Sequence, residues 1–360
     1  MGPLRSVAKI AKAAELAAAA LAKGDLVAFP TETVYGLGAD ATNPDAVRKI
    51  FAAKGRPAEH PLIVHIAKDA TLFDYAGEVP ETAIKLAAEF WPGPLTLILK
   101  KSVRIPDVVT GRQDTVGLRC PSHPVAQKLL EAFARTGSGA VAAPSANKFG
   151  HVSPTSAQHV RDEFGELVGR SIMLIDGGAC EVGIESTIID LSSRTPVLLR
   201  PGAITPDQIA EVIGMRPLVR GKAGVGGKTP RAPGTLDSHY APKTPLKLIA
   251  AKDLNAEVDA LLLSGKRVAV LAFDKSIGLP VSPPGVGIRA ARPLVLIVAS
   301  RDAVTYARDL YANLRTLDAA GTSGILVQLP PQTSGWDAVN DRLGRATTSS
   351  GRAGKPSSAT

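Results

Sequence analysis

Two cations on a stiff loop, Lys54 and Arg56 in Lys54-Gly-Arg-Pro57, have the chemistry to grip phosphate oxygens. A structural use is equally open to them, because cations also suit the C-terminal end of a helix. Arg119, inside a strand-like run that Thr115 opens, and Arg200, closing another, stand among apolar residues. A charge there is costly unless it is paired or bound to a ligand, so both arginines favour an anionic ligand. Uncharged donors and acceptors accompany them. Thr31 and Thr33 flank Glu32 in Phe29-Pro-Thr-Glu-Thr-Val-Tyr-Gly-Leu-Gly38, and in an extended backbone their hydroxyls would share one side. Gly36 and Gly38 permit close backbone approach, although a capped turn between a strand and a helix explains the stretch as well. Ser145 and Asn147, in Ala143-Pro-Ser-Ala-Asn147, and Ser153 beyond them suit a phosphate, a ribose or a base edge; they are also ordinary turn formers. His65 ends Pro61-Leu-Ile-Val-His65, an apolar run in which a satisfied core histidine is the commoner reading. Ser186 and Thr187 follow Gly183-Ile-Glu at the start of a further strand.

Other chemistries are excluded. There is no HExxH, nucleophile elbow or EF-hand loop, and the six histidines show no ligand spacing. Cys120 and Cys180 are the only cysteines and form no CxxC, which rules out a disulfide scaffold or a cysteine-rich zinc site. No protein-held metal is expected, but a Mg²⁺ arriving with a phosphate-bearing ligand is, since this ion often binds through substrate phosphates. Gly221-Lys-Ala-Gly-Val-Gly-Gly-Lys-Thr229 imitates a phosphate-binding P-loop, yet its glycine spacing is one residue too long, no strand precedes it and Pro230 follows.

The net charge of +9 favours anionic partners such as nucleotides, nucleic acid or acidic surfaces; it serves simple solubility equally well. The Ala-rich start, Ala8 to Leu21, is interrupted by Lys9, Lys12 and Glu15 at helical spacing, and reads as an amphipathic helix rather than a signal peptide. No apolar run is long enough to span a membrane, and the expected location is the cytoplasm.

These residues need a scaffold. Short β-branched runs alternate with helical patterns over the first 213 residues, predicting a mixed α/β domain with strands at Leu26–Phe29, Leu62–Ile66, Leu95–Leu99, Thr115–Arg119, Ala140–Ala143, Ile172–Ile175, Ser186–Leu191 and Val197–Leu199. Asn43 before Pro44, and Thr205 before Pro206, place a cap residue ahead of a proline at the first helical position. Residues 214–245 are rich in Gly, Pro, Lys and Arg and read as a linker. A smaller α/β, Rossmann-like domain is expected over 246–348, with strands near Leu246–Ala250, Arg267–Phe273 and Gly324–Gln328, and a flexible tail over 349–360.

The order of the motifs is more specific than any one of them. Pro30-Thr-Glu-Thr-Val-Tyr-Gly-Leu-Gly38, Lys54-Gly-Arg-Pro57 with Pro61–His65, Trp91-Pro-Gly-Pro-Leu-Thr96, Pro144-Ser-Ala-Asn147, Ser153-Pro-Thr155, Glu185-Ser-Thr187 and Leu199-Arg-Pro-Gly202 together resemble the YrdC-type threonylcarbamoyl-AMP synthases. Ala232-Pro-Gly-Thr-Leu-Asp-Ser-His-Tyr-Ala-Pro242 and the unit after it resemble the longer, two-domain branch. The resemblance implies a twisted mixed-sheet YrdC-like fold and a reaction that makes threonylcarbamoyl-adenylate and pyrophosphate from L-threonine, bicarbonate and ATP. Other proteins would then move the threonylcarbamoyl group to tRNA. It further implies that Thr33, His65, Arg119 and Ser186 bind threonine. Arg56, His60, Thr115, Ser145, Asn147, Ser153 and Arg200 would bind ATP, with Lys54 and Arg56 serving catalysis. The linker would fold over the site and bring His239 or a neighbour to the nucleotide; here it lacks basic residues that many relatives carry before the His-Tyr pair.

Such chemistry needs no protein nucleophile, only alignment of two anions and stabilisation of charge at phosphorus. Two alternatives remain on sequence grounds. A carbamoyltransferase of hydrogenase-maturation type would need cysteine-rich zinc fingers that two cysteines cannot supply. A double-stranded-RNA or ribosome-binding module would need the basic surface but no threonine pocket.

Overall fold

The computed structural model describes residues 3–219, 229–235, 239–277 and 294–350. The chain divides into two compact units, the first formed by residues up to Phe149 and from Ser153 to Thr235. The second takes the remainder together with Gly150–Val152. The P-loop-like stretch falls almost wholly on residues 220–228, outside the described residues.

The first unit opens with α1 (Pro3–Ala22), β1 (Leu26–Phe29), β2 (Gly36–Asp40), α2 (Pro44–Lys54) and β3 (Ile63–Ile66). β4 (Ala76–Glu78), α3 (Glu81–Phe90), β5 (Leu95–Lys101), α4 (Asp107–Thr110), β6 (Thr115–Arg119), α5 (Pro124–Thr136) and β7 (Ala140–Ala142) follow. It closes with α6 (Ala157–Phe164), β8 (Ile172–Leu174), β9 (Thr187–Asp190), β10 (Val197–Arg200), α7 (Pro206–Ile213) and β11 (Leu218–Val219). The strands form one mixed sheet in the order β11-β10-β9-β5-β6-β3-β7-β2-β1-β8, with β4 beside β5.

Period-two alternation sorts the side chains of this sheet into two layers. Leu26 and Ala28 of β1, Val64 and Ile66 of β3, Leu97 and Leu99 of β5, and Val116 and Leu118 of β6 enter one large core, which α2, α3 and α6 help to close. On the opposite face Val27, Phe29 and Val141 meet Ala14, Ala17, Ala18 and Leu21 of α1 and Leu129, Leu130 and Phe133 of α5. The small residues of α1 therefore lie against α5, as the amphipathic reading requires. No helix among the described residues is long and apolar enough to cross a membrane.

Both proline-led starts behave as read. The Asn43 side chain accepts from the Asp45 and Ala46 backbones, and Thr205 forms a capping box with Gln208. The Gly36–Gly38 stretch departs from the turn reading: it is strand β2, antiparallel to β1. A β-carbon at Gly38 would lie 2.7 Å from Val141 Cγ1 and 2.9 Å from Phe29 Cε1, so the close approach is real and occurs inside a strand. The linker reading also shifts, because its first residues add edge strand β11, parallel to β10.

The second unit holds β12 (Leu246–Ile249), α8 (Leu254–Leu263), β13 (Val268–Ala272), β14 (Leu294–Val298), α9 (Ala303–Asp318), β15 (Gly324–Gln328) and α10 (Asp337–Ser350). Its four strands run in the order β12-β15-β13-β14, all parallel, which is the Rossmann-like arrangement expected. Within this unit the Ala241 N–H donates to Gly150 O at 2.9 Å, and Arg315 donates to Val152 O. Helix α10 continues through Ser350, and the rest of the expected tail, 351–360, lies outside the described residues.

Candidate active site

Register brings the charged strand residues to one face. β3 and β6 are parallel with His65 opposite Arg119 and Ile63 opposite Gly117. Ile98 of β5 also pairs with Gly117, which sets Thr96 beside Arg119, and Ile188 of β9 pairs with both Thr96 and Arg200. Thr115, Arg119, His65, Thr96 and Arg200 thus share one side of five neighbouring strands. His65 pairs with Val141, whose side faces α1 and α5, so this is the same face farther along the sheet. An apolar patch of Ile63, Ile98, Ile188, Val197 and Leu199 floors it, and Ala232 packs onto that patch.

Loops close the edges. The 31–35 segment is a bend rather than the extended run expected, yet its threonines do face one another: Thr31 and Thr33 hydroxyls are 2.9 Å apart. Thr31 also donates to Val34 O at 2.6 Å. This bend is tied to the following loop, with Tyr35 N donating to Pro154 O and Ala146 N donating to Tyr35 O. Val182 N donates to Glu32 O at 2.8 Å, fastening the segment before Ser186 to the same bend.

Arg119 is buried, and its Nη2 lies 2.7 Å from Glu32 Oε1 in an ion pair whose side chains are each 4% exposed. Glu32 was not among the residues expected to act here. Its partner lies 87 positions away, beyond any local pattern. The other Glu32 oxygen accepts from Ser122 N at 3.1 Å, and Arg119 Nε points to Gly93 O at 3.4 Å. His65 is neutral at ordinary pH, because burial and then the Arg119 charge push its pKa down to about 3. Its ring meets Phe29 edge-on at 6.1 Å.

The depressed His65 value has a stability consequence with a definite sign. The unfolded chain binds a proton near the ordinary histidine value while the folded one does not, so the contribution is present above about pH 6.5 and lost as pH falls toward 3. We predict a loss approaching about 1.4 kcal/mol per pH unit through that window. Denaturant titrations of His65→Gln should show a shallower acid limb than the parent; equal slopes would refute the assignment.

Arg200 joins the residues expected at threonine to those expected at ATP. Its Nε and Nη2 donate to Ser186 O at 3.0 Å and to Ser186 Oγ at 3.1 Å, and that hydroxyl lies 2.8 Å from Thr96 Oγ1. Arg200 Nη1 donates to Pro233 O at 2.9 Å, so the described part of the linker is anchored in this unit. Arg231 extends the anchor, donating from Nη2 to Gly111 O at 2.7 Å and exchanging backbone hydrogen bonds with the Gln113 side chain. The turn at Gly202 depends on having no side chain, since a β-carbon would sit 2.4 Å from Thr187 N. Ser153 donates to the buried Glu185 at 2.6 Å, a second carboxylate that sequence reading did not single out.

Lys54 is engaged by the backbone of a neighbouring loop. Its ammonium is buried and donates to the backbone carbonyls of Ser145, at 2.5 Å, and Asn147. Burial, and then the Arg56 charge, hold its pKa well below the ordinary lysine range. Phe149 N donates to Lys54 O at 2.9 Å and Lys148 Nζ to Ala53 O at 2.7 Å, so the 145–149 loop is sewn to the end of α2. Lys54 shapes the loop that carries Ser145 and Asn147. Arg56 donates to Pro61 O at 3.0 Å and stacks over Phe149, whose ring also faces His60. Burial, and then Arg56, lower the His60 pKa.

Two carbonyls lose their donor in Lys54→Met, and buried acceptors left unmet cost about 1–3 kcal/mol each. With Ser145 and Asn147 at ATP, as the resemblance implies, ATP affinity should fall at least about tenfold while threonine affinity changes little. Calorimetric titration with each ligand checks this, and an unchanged ATP affinity would contradict it. His239 lies in the second unit, buried, with its ring centroid 4.2 Å from that of Tyr240 and its N–H donating to Arg345 O at 3.4 Å.

Comparison with known proteins fits this geometry. Residues 19–202 match the Sua5–YciO–YrdC family model, described as telomere recombination. Residues 204–348 match the C-terminal domain of threonylcarbamoyl-AMP synthase. The chain belongs to this family, in its two-domain form. It is 42% identical over 335 residues to the threonylcarbamoyl-AMP synthase of Pyrococcus abyssi, covering 92% of this chain and 93% of that one. The Bacillus subtilis protein of the same name is 40% identical, with 92% and 91% covered. A crystal structure of P. abyssi Sua5 complexed with L-threonine superposes with a TM-score of 0.79 at 40% identity, covering 93% of this chain and 94% of that one.

Proposed function

We infer that this chain is a threonylcarbamoyl-AMP synthase, which joins L-threonine, bicarbonate and ATP into threonylcarbamoyl-adenylate and releases pyrophosphate. The observation that carries the reading is the pair of buried arginines, Arg119 and Arg200, on one sheet face, with Ser186 bonded to Arg200 between them. Threonine's carboxylate sits on Arg119, with Thr33, His65 and Ser186 around its amine and hydroxyl. The ATP phosphates lie toward Arg56, Thr115, Ser145, Asn147, Ser153 and Arg200, and Mg²⁺ enters with them as part of the substrate.

Bicarbonate takes up a proton and loses water to give carbon dioxide; the amine adds to it and releases a proton as the carbamate forms, and a carbamate oxygen then attacks the α-phosphorus as its bond to pyrophosphate breaks. Both partners are anions, so fixed cations do most of the work by holding them together. Buried cations act in a low local dielectric and need no reorganisation as charge develops. Proteins that transfer the threonylcarbamoyl group to tRNA consume the product, which places the enzyme in the cytoplasm with them. Pyrophosphate release from ATP should require both threonine and bicarbonate. ATP turnover indifferent to threonine would overturn the reading, and tight RNA binding in its place would favour an RNA-binding module.

A further inference from the structure

We propose that Glu32 is the positioning residue of the threonine subsite: its carboxylate fixes the Arg119 guanidinium and balances its charge, so that the subsite accepts a zwitterion rather than a simple anion. The proposal rests on the assignment of Arg119 to the threonine carboxylate made above.

Fixation is seen directly. Glu32 is clamped from three sides: Oε1 lies 2.7 Å from Arg119, Oε2 accepts from Ser122 N at 3.1 Å, and its backbone oxygen accepts from Val182 N at 2.8 Å. The threonines on either side are bonded to each other, which removes the slack of the bend. Arg119 is in turn ion-paired at Nη2 with Glu32 Oε1, a contact of charge rather than of hydrogen-bond geometry, and donates from Nε to Gly93 O at 3.4 Å. Among the described residues Nη1 has no hydrogen-bond acceptor, so one edge of the guanidinium is oriented and open to a ligand. A planar fork whose direction is already set loses little freedom when a carboxylate arrives.

Charge selects the ligand. Arg119 and Glu32 are both buried and together carry no net charge. A bare carboxylate added to them would leave one negative charge in a site where uncompensated charge is costly. An amino-acid zwitterion adds none. His65, paired with Arg119 across the strands, is neutral and cannot supply the missing positive charge. The subsite therefore prefers threonine to the same skeleton lacking the amine, 3-hydroxybutyrate. This preference should disappear when Glu32 loses its charge, because Arg119 would then stand alone and welcome a simple anion.

Calorimetric titration of the full chain with L-threonine, 3-hydroxybutyrate and ATP tests the idea in the parent, Glu32→Gln and Glu32→Asp. In Glu32→Gln the preference for threonine over 3-hydroxybutyrate should shrink at least about tenfold, with ATP affinity within about threefold of the parent. Glu32→Asp keeps the charge and guards against a folding failure of the amide. It should retain the preference but lose threonine affinity severalfold, because the shorter side chain cannot hold Arg119 in place. An unchanged preference in Glu32→Gln would overturn the charge-balance role, and unchanged threonine affinity in Glu32→Asp would overturn the positioning role. Parallel losses for threonine and ATP would reduce Glu32 to a structural residue. A parent chain that binds no threonine would instead remove the subsite assignment itself.

Discussion

Arg119→Ala should lower kcat/KM for threonine by roughly 30- to 5,000-fold, the range expected when one member of a buried charge pair is truncated at about 2–5 kcal/mol. Two losses combine in it. On the proposed assignment threonine forfeits a charge-assisted bond, and Glu32 is left as a carboxylate that is 3% exposed and without Arg119 as its counter-ion. The second loss also weakens the fold, since breaking a buried pair costs about 3–5 kcal/mol in itself. Thermal unfolding must therefore be measured beside the kinetics. Arg119→Lys separates the two effects: it keeps a cation for Glu32 but offers a point charge instead of a planar fork. We expect the lysine variant to recover most of the stability and little of the threonine affinity. Near-parental kinetics in either variant would remove Arg119 from the site.

How far the sequence could lead is clearest from residues whose partners are near or far. Asn43 and Thr205 were readable because a cap and the proline it precedes are local, and the structure places both side chains on the backbone N–H groups they should satisfy. Strands such as Leu26–Phe29 and Thr115–Arg119 were readable from runs of β-formers. Gly36–Asp40 was not, because two glycines disguise a strand that tertiary crowding by Val141 and Phe29 forces to be small. Leu294–Val298 is a continuous apolar run without period-two alternation, and it forms the half-buried edge strand of the second sheet; a short run of this kind does not by itself tell strand from helix. Arg119 and Arg200 stood out because an apolar setting makes an arginine conspicuous. Glu32 did not, although Arg119 implied that some carboxylate or ligand had to answer it. Lys54 reads from its loop either as a phosphate grip or as a helix-end cation; its protein acceptors, 91 and 93 residues away, are backbone carbonyls that no side-chain pattern announces.

Arg200→Ala is expected to have the broadest effect, because one guanidinium holds three things at once. It binds the Ser186 carbonyl, the Ser186 hydroxyl and the Pro233 carbonyl. Losing it frees Ser186 to rotate away from Thr96 and removes a cation from the side of the site proposed for the nucleotide. It also releases the segment whose Ala232 covers the apolar patch around Ile63 and Ile188. A single-substrate role would raise one KM. The geometry instead predicts that kcat/KM falls for threonine and ATP together, by at least about a hundredfold, since the transition state needs both anions aligned. The linker supplies an independent reading. With Arg231 still bound to Gly111 and Gln113 the segment keeps one anchor, so Arg200→Ala should loosen it only in part. Limited proteolysis should then cut near residues 229–235 faster than in the parent, and faster again in Arg200→Ala/Arg231→Ala. On the proposed assignment of Arg200 to the ATP phosphates, saturating ATP should protect the parent chain but not the Arg200 variants, since the same guanidinium donates to Pro233 O. Equal cleavage rates with and without ATP in the parent would separate the linker from the nucleotide site and leave Arg200 a residue of one substrate alone.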